Sequence, residues 1–105
     1  MREKEWIGLL TGKQKRFLRA QGNEMEVILT IGKGGITDAV VAQAEEALEA
    51  RELIKGRVLP VVLEEPESVA AEIVARVGAE LVQVIGRNFL LYRKAKNKVR
   101  IILPE

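Results

Sequence analysis

A chain of 105 residues, 48% hydrophobic and 30% charged, makes one globular domain with a single modest core. It contains no cysteine and no histidine, which excludes a disulfide framework, thiolate chemistry, His-based triads and the common Cys/His zinc sites. The net charge is only +2, and the longest apolar runs, about five residues, fall far short of the roughly 20 that a membrane helix needs.

The first element in chain order is a helix from about Gly12 to Gln21. Thr11 is its N-cap, Gln14 completes a capping box, and Gly22 with Asn23 ends it. Helical spacing puts Gln14, Phe17, Leu18 and Gln21 on one arc, and Lys13, Lys15, Arg16 and Arg19 on the opposite one. A strand over Val27–Ile31 leads into the turn Gly32-Lys33-Gly34-Gly35. A second helix follows over Thr37–Ala50, with Thr37 as N-cap and Val40, Ala44, Ala47 and Leu48 as its apolar stripe. The next strand, Leu53–Leu59, alternates Lys55 and Arg57 with Ile54 and Val58. After a connection around Pro60–Pro66, a third helix covers Glu67–Val77 and stops at Gly78. Leu81–Ile85 and Phe89–Tyr92 flank Gly86-Arg87, the signature of a hairpin with a type II′ turn. Val99–Leu103 is either a short strand or an extended tail. The order is α-β-α-β-α-β-β. It predicts an α/β domain with a small mixed sheet, parallel pairing within the strand–helix–strand units and an antiparallel final hairpin. Residues 1–9, including Trp6, form an N-terminal arm.

The strand–glycine turn–helix arrangement points backbone N–H groups outward without a side chain in the way, which suits a phosphate. The helix start adds its dipole, and Lys33 adds a mobile charge. The spacing is G-x-x-G, the pattern with which some RNA-binding modules clamp a nucleic-acid backbone. A turn that merely starts a helix has the same local sequence, so the rest of the chain must decide.

Charge distribution favours the nucleic-acid reading. Gly12–Asn23 holds four basic residues and no acid; Gly86–Pro104 holds six, Arg87, Arg93, Lys94, Lys96, Lys98 and Arg100, again without an acid. The acids gather in Asp38–Glu52 and Glu64–Glu80. One basic face and one acidic face are expected, the former being the footprint of a nucleic-acid binder. With only four aromatic residues, Trp6, Phe17, Phe89 and Tyr92, the chain lacks the platforms of a base-stacking groove. Phe17 and Phe89 read as core.

At this point the chain resembles the CRM domain (chloroplast RNA splicing and ribosome maturation), most closely its bacterial stand-alone YhbY-type members. The matching pieces are Leu10–Arg16, Ile31–Thr37, Glu52–Lys55, and Gln83–Arg87 running to Leu91–Arg93. They cover about residues 10–103, nearly the whole chain. Gly12, in the first turn of a helix, and Gly56, inside a strand, depart from the usual pattern. The resemblance implies an RNA-binding fold similar to the C-terminal domain of initiation factor three. It also implies association with precursors of the large ribosomal subunit and a role in ribosome assembly rather than catalysis. The RNA-binding surface it implies is Gly32, Lys33, Gly34 and Gly35 with Lys13, Lys15, Arg16 and Arg19. Lys55, Arg57, Arg87 and Arg93 are added from charge and strand alternation.

Two other readings are weaker. A nucleotide-binding enzyme would need a third glycine where Thr37 stands, or a phosphate loop ending in Gly-Lys-Ser/Thr, and has neither. A protein-interaction module would use the acidic helix faces, for instance toward a basic ribosomal protein. A single aspartate and a single serine leave little for catalysis, and the glutamates read as helix-surface positions. The expectation is a cytoplasmic, non-enzymatic binder of structured RNA that needs no cofactor or metal and engages neither membrane nor DNA.

Overall fold

The computed structural model describes residues 10–105. The readings placed on residues 1–9 and Trp6 therefore lie outside the described residues. Helix α1 (Gly12–Gly22) starts on the predicted capping box: Gln14 N donates to Thr11 Oγ1 and Thr11 N donates to Gln14 Oε1, both at 3.0 Å. Leu18 is fully buried and Phe17 half-buried, as the helical spacing requires. Gln21, placed on the same arc, is exposed. Gly22 makes the contact at that end instead, so close to Leu90 that a Cβ would collide with it.

Strand β1 (Leu29–Ile31) is shorter than the apolar run, because the ladder begins only where Ile28 N donates to Lys55 O. Helix α2 (Asp38–Arg51) is capped by Thr37, whose Oγ1 accepts from Val40 N at 3.2 Å. Strand β2 (Leu53–Val58) and helix α3 (Pro66–Val77) follow, the latter ended by Gly78 in the left-handed conformation. Strands β3 (Glu80–Ile85) and β4 (Asn88–Tyr92) form the hairpin. Gly86 has φ 59° while Arg87 keeps a negative φ, the signs of a type II′ turn.

The sheet order is β1-β2-β4-β3. The β1–α2–β2 unit pairs in parallel as expected. The β2–α3–β3 unit does not bring its strands together: β4 inserts between them, antiparallel to both. A hairpin strand can reach that slot through two residues of turn, and its insertion buries β4 on both sides. Gly56 is explained by this pairing. It lies opposite Phe89, and the ring covers it so closely that a Cβ would collide.

Alternation divides the sheet's two faces. Leu29, Ile31, Ile54, Val58, Phe89 and Leu91 pack on α2 and α3 through Ala44, Leu48, Val69, Ile73 and Val77. Leu53, Val82, Leu90 and Tyr92 pack on the other side against Leu18 of α1, with Ile101 and Leu103 alongside.

The segment after β4 forms no strand; it is an extended tail held by glutamates. Here the helix-surface reading of the glutamates fails at Glu52, while Glu46, Glu67 and Glu72 are exposed as it expects. Glu52, between α2 and β2, is fully buried. It has φ 68°, the only positive φ of a non-glycine residue among those described, a strain of order 1–3 kcal/mol. Its carboxylate accepts backbone N–H groups from Ala95 at 2.7 Å, Arg100 at 2.7 Å and Ile101 at 2.6 Å. Its own carbonyl accepts from Arg93 N. Glu49, one turn earlier, accepts from Lys96 and Asn97 N. Burial pushes the Glu52 carboxyl up, but these N–H donors and the nearby Arg100 outweigh it and hold its pKa below the ordinary 4.5. Burial, followed by the Glu52 charge, raises that of Tyr92.

A carboxylate whose folded pKa is depressed stabilises the fold fully above its unfolded value and loses that contribution as the pH falls through the folded one. Glu52→Gln should therefore lower stability by about 3 kcal/mol near neutral pH, since buried N–H donors lose a charged acceptor. Denaturant titrations from pH 7 down to pH 2 should show a flatter acid dependence below about 4.5 in this variant than in the parent chain. Equal slopes would remove Glu52 from that role.

Candidate nucleic-acid interface

The turn after β1 is closed by Gly35 N donating to Gly32 O at 2.9 Å. Of its three glycines only Gly35, at φ 74°, needs the left-handed region. Gly32 and Gly34 keep ordinary backbone. A Cβ on Gly32 would sit 3.7 Å from a Leu59 methyl, and one on Gly34 would sit 3.7 Å from the Thr37 methyl. Both are ordinary contacts, so folding does not demand glycine at either place. What glycine supplies there is a bare, solvent-facing backbone. Lys33 and Gly34, at the tip, are exposed.

Helix α2 contributes less to anion binding than its position after the turn suggests. Thr37 already caps Val40 N, and Asp38 places a carboxylate in the first turn. That carboxylate offsets the positive end of the helix dipole. Asp38 is fully exposed and stands 3.6 Å from Arg76, a solvent-screened pair worth little. The groups of this turn suited to an anion are therefore its own amides and Lys33.

The other predicted cations fall into two groups. Lys13 and Arg16 on α1 are exposed, Lys15 and Arg19 are half-exposed, and Arg57 on β2 is exposed. Among the described residues none of these five pairs with a carboxylate. Arg19 also lies in the last turn of α1, where a positive charge favours the helix.

Lys55, Arg87 and Arg93 use their donors inside the protein. Lys55 Nζ reaches the carbonyls of Gly22 at 3.2 Å and Met25 at 3.4 Å, closing the end of α1. Arg87 donates to the carbonyls of Val58, Leu59 and Val62 and so clamps the β2–α3 connection to the hairpin. Arg93 is 14% exposed and lies on the α2/α3 side, donating to Glu45 Oε1 at 2.6 Å and Val77 O at 2.9 Å. Alternation placed Lys55 correctly on the face it shares with Arg57. What it did not show is that helix ends and loop carbonyls compete for these donors.

Sequence reasoning missed a set of neutral residues on this same face. The register aligns Thr30 with Arg57, Arg57 with Asn88, and Asn88 with Ile85. This row crosses all four strands beyond the end of α1, and Ile85 in it is 62% exposed. Only the strand pairing reveals it; no run of sequence does. Among the described residues no group of carboxylates is arranged to hold a metal, and no helix is long and apolar enough to cross a membrane.

Known proteins resemble this chain in sequence and in fold. The model of the CRS1 / YhbY (CRM) domain matches residues 10–93. A Bacillus subtilis protein, named probable RNA-binding protein YqeI, is 46% identical over 96 residues, covering 91% of this chain and all of that protein. A protein of Haemophilus influenzae, named RNA-binding protein, is 35% identical over 90% of this chain and 95% of its own length. The solution structure of SAV1595 from Staphylococcus aureus superposes with a TM-score of 0.77 at 42% identity, over 91% of this chain and the whole of that one.

The turn yields a direct test of which glycines serve the fold. Gly35→Ala should cost about 1 kcal/mol, because an L-residue is strained at positive φ. Gly34→Ala should leave stability within about 0.5 kcal/mol of the parent or raise it slightly. Urea denaturation measures both; equal losses would make Gly34 a folding requirement as well.

Proposed function

The chain belongs to the CRS1 / YhbY (CRM) domain family, and we propose that it is a non-catalytic RNA-binding protein that holds RNA with its glycine turn and the exposed cations of α1 and β2. The reading is carried by the division among the basic residues. Three are consumed by internal carbonyls and carboxylates, whereas Lys13, Lys15, Arg16, Arg19 and Arg57 have no such partner among the described residues. Four of them share the single helix α1, where like charges repel, and a polyanion relieves that repulsion. The exposed turn supplies unobstructed amides at Lys33 and Gly34, and the names of the relatives point to RNA as the polyanion.

Contacts of this kind recognise phosphate, ribose and the shape of folded RNA. The RNA we propose is ribosomal, in precursors of the large subunit, with assistance to assembly in the cytoplasm as the role. Binding is then the whole activity, since no histidine or cysteine is available to act at neutral pH.

Three experiments test the reading. Replacing Lys15, Arg16 or Arg19 by Gln should weaken binding of a structured ribosomal RNA fragment about equally across sequences. Each should also flatten the dependence of log K on log salt by about one unit. Gly34→Asp, folded by circular dichroism, should weaken binding by setting a carboxylate where a phosphate would lie. Unchanged affinity in a folded Gly34→Asp removes the turn from the interface. Sequencing RNA crosslinked to the protein in cells tests the ribosomal assignment: recovery without large-subunit sequences refutes it.

A further inference from the structure

Helix α1 covers only part of its face of the sheet. The covered part is the Leu53–Tyr92 end, where Leu18 packs. The helix ends where Gly22 meets Leu90, and beyond it the row Thr30–Arg57–Asn88–Ile85 faces solvent. Between the helix end and this row lies an open cleft of about 110 Å³. Leu90 lies in its lining with Ile85, and Asn23, Gln83 and Asn88 surround them.

The chemistry of this lining is specific. Each of the three amides offers both a donor and an acceptor, and none of them makes a side-chain hydrogen bond among the described residues. No carboxylate lines the cleft. Its one cation, Lys55, is turned to the carbonyls of Gly22 and Met25. Arg57, next to Asn88 in the row, is exposed. Thr30, at the other side of Arg57, is two residues from Gly32, so the cleft and the glycine turn belong to one continuous surface. From Thr30 to Asn88 is two strand spacings, about 10 Å, within reach of a short stretch of RNA.

Building on the RNA-binding reading above, we propose that this cleft receives one unpaired nucleobase of the bound RNA. Its edge is read by the amides of Asn23, Gln83 and Asn88, its face rests on the exposed Ile85, and Arg57 holds the adjacent phosphate. Amides with free donors and acceptors match the mixed donor and acceptor edges of bases that have left a duplex. An aliphatic wall replaces the aromatic platforms that this chain lacks. The cleft thus adds discrimination between paired and unpaired RNA to a surface that otherwise senses phosphate.

The test compares two RNAs with the same stem: a hairpin closed by an unpaired loop, and a blunt, fully paired duplex. The full ¹⁵N-labelled chain is titrated with each, and the side-chain amide signals of Asn23, Gln83 and Asn88 are followed. Those signals should shift with the hairpin and stay still with the duplex. The variant Gln83→Ala/Asn88→Ala should lose roughly tenfold in hairpin affinity, the effect of one base-edge pairing, with its salt slope unchanged. The exposed Asn23→Ala, outside the sheet, should lose affinity in the same direction and guards against a folding defect in the double variant. Gly34→Asp should weaken both RNAs alike. Equal affinity for both RNAs with silent amides overturns the base site while leaving RNA binding intact. Amides that respond equally to the duplex also overturn it, since paired bases are out of reach. If neither RNA binds, the RNA-binding reading fails and the base site falls with it.

Discussion

The buried carboxylate of Glu52 organises this fold more than any other polar group. It sits at the junction of α2 and β2 and gathers backbone N–H groups from a tail more than 40 residues later, at Ala95, Arg100 and Ile101. The tail would otherwise have no ladder to join. Once fastened, it places Ile101 and Leu103 against the second core cluster. Its Pro104 carbonyl accepts from Gln14, whose Oε1 also completes the α1 cap. The orientation of α1, and with it the direction in which its cations face, is thus tied through the tail to one carboxylate at the α2–β2 junction. A charge buried with so many aligned donors is stabilising, whereas the same charge without them would be among the costliest groups in the core.

A second constraint is the competition for basic side chains. A small sheet with short connections leaves carbonyls at helix ends and loop bends that need donors. Lys55 closes α1, Arg87 binds the β2–α3 connection, and Arg93 ties β4 to α2 and α3. What remains outside is a smaller set on α1 and β2, and a glycine turn of which only one residue is glycine for conformational reasons. The separation of structural from available charge, invisible in a count of lysines and arginines, gives the proposed interface its outline.

The same economy of size leaves one end of the sheet uncovered. An α1 of 11 residues packs over one end of the strands and stops at Gly22. Its close approach to Leu90 demands a glycine there, and the helix end and the sheet together form the rim of a cleft. The inserted β4 carries Asn88 into the middle of that face, beside Arg57 of β2. Had β3 paired directly with β2, as a simple strand–helix–strand repeat would do, Asn88 would stand at an edge.

Much of this was written locally in the chain. Capping residues Thr11 and Thr37, the stops at Gly22 and Gly78, the Gly86-Arg87 turn and the period of each apolar stripe depend on neighbours within a few residues, so the element order and most boundaries were legible in the sequence. So were the exposed turn at Gly32–Gly35 and the basic arc of α1. Tertiary structure alone decided the rest. The place of β4 between β2 and β3, the burial of Glu52, the internal use of Lys55, Arg87 and Arg93, and the row Thr30–Arg57–Asn88–Ile85 all join residues far apart in the chain. Periodicity states which side of its own element a residue occupies. It cannot state which strand will lie beside it, or which unpaired carbonyl or amide will be within reach when the layers close.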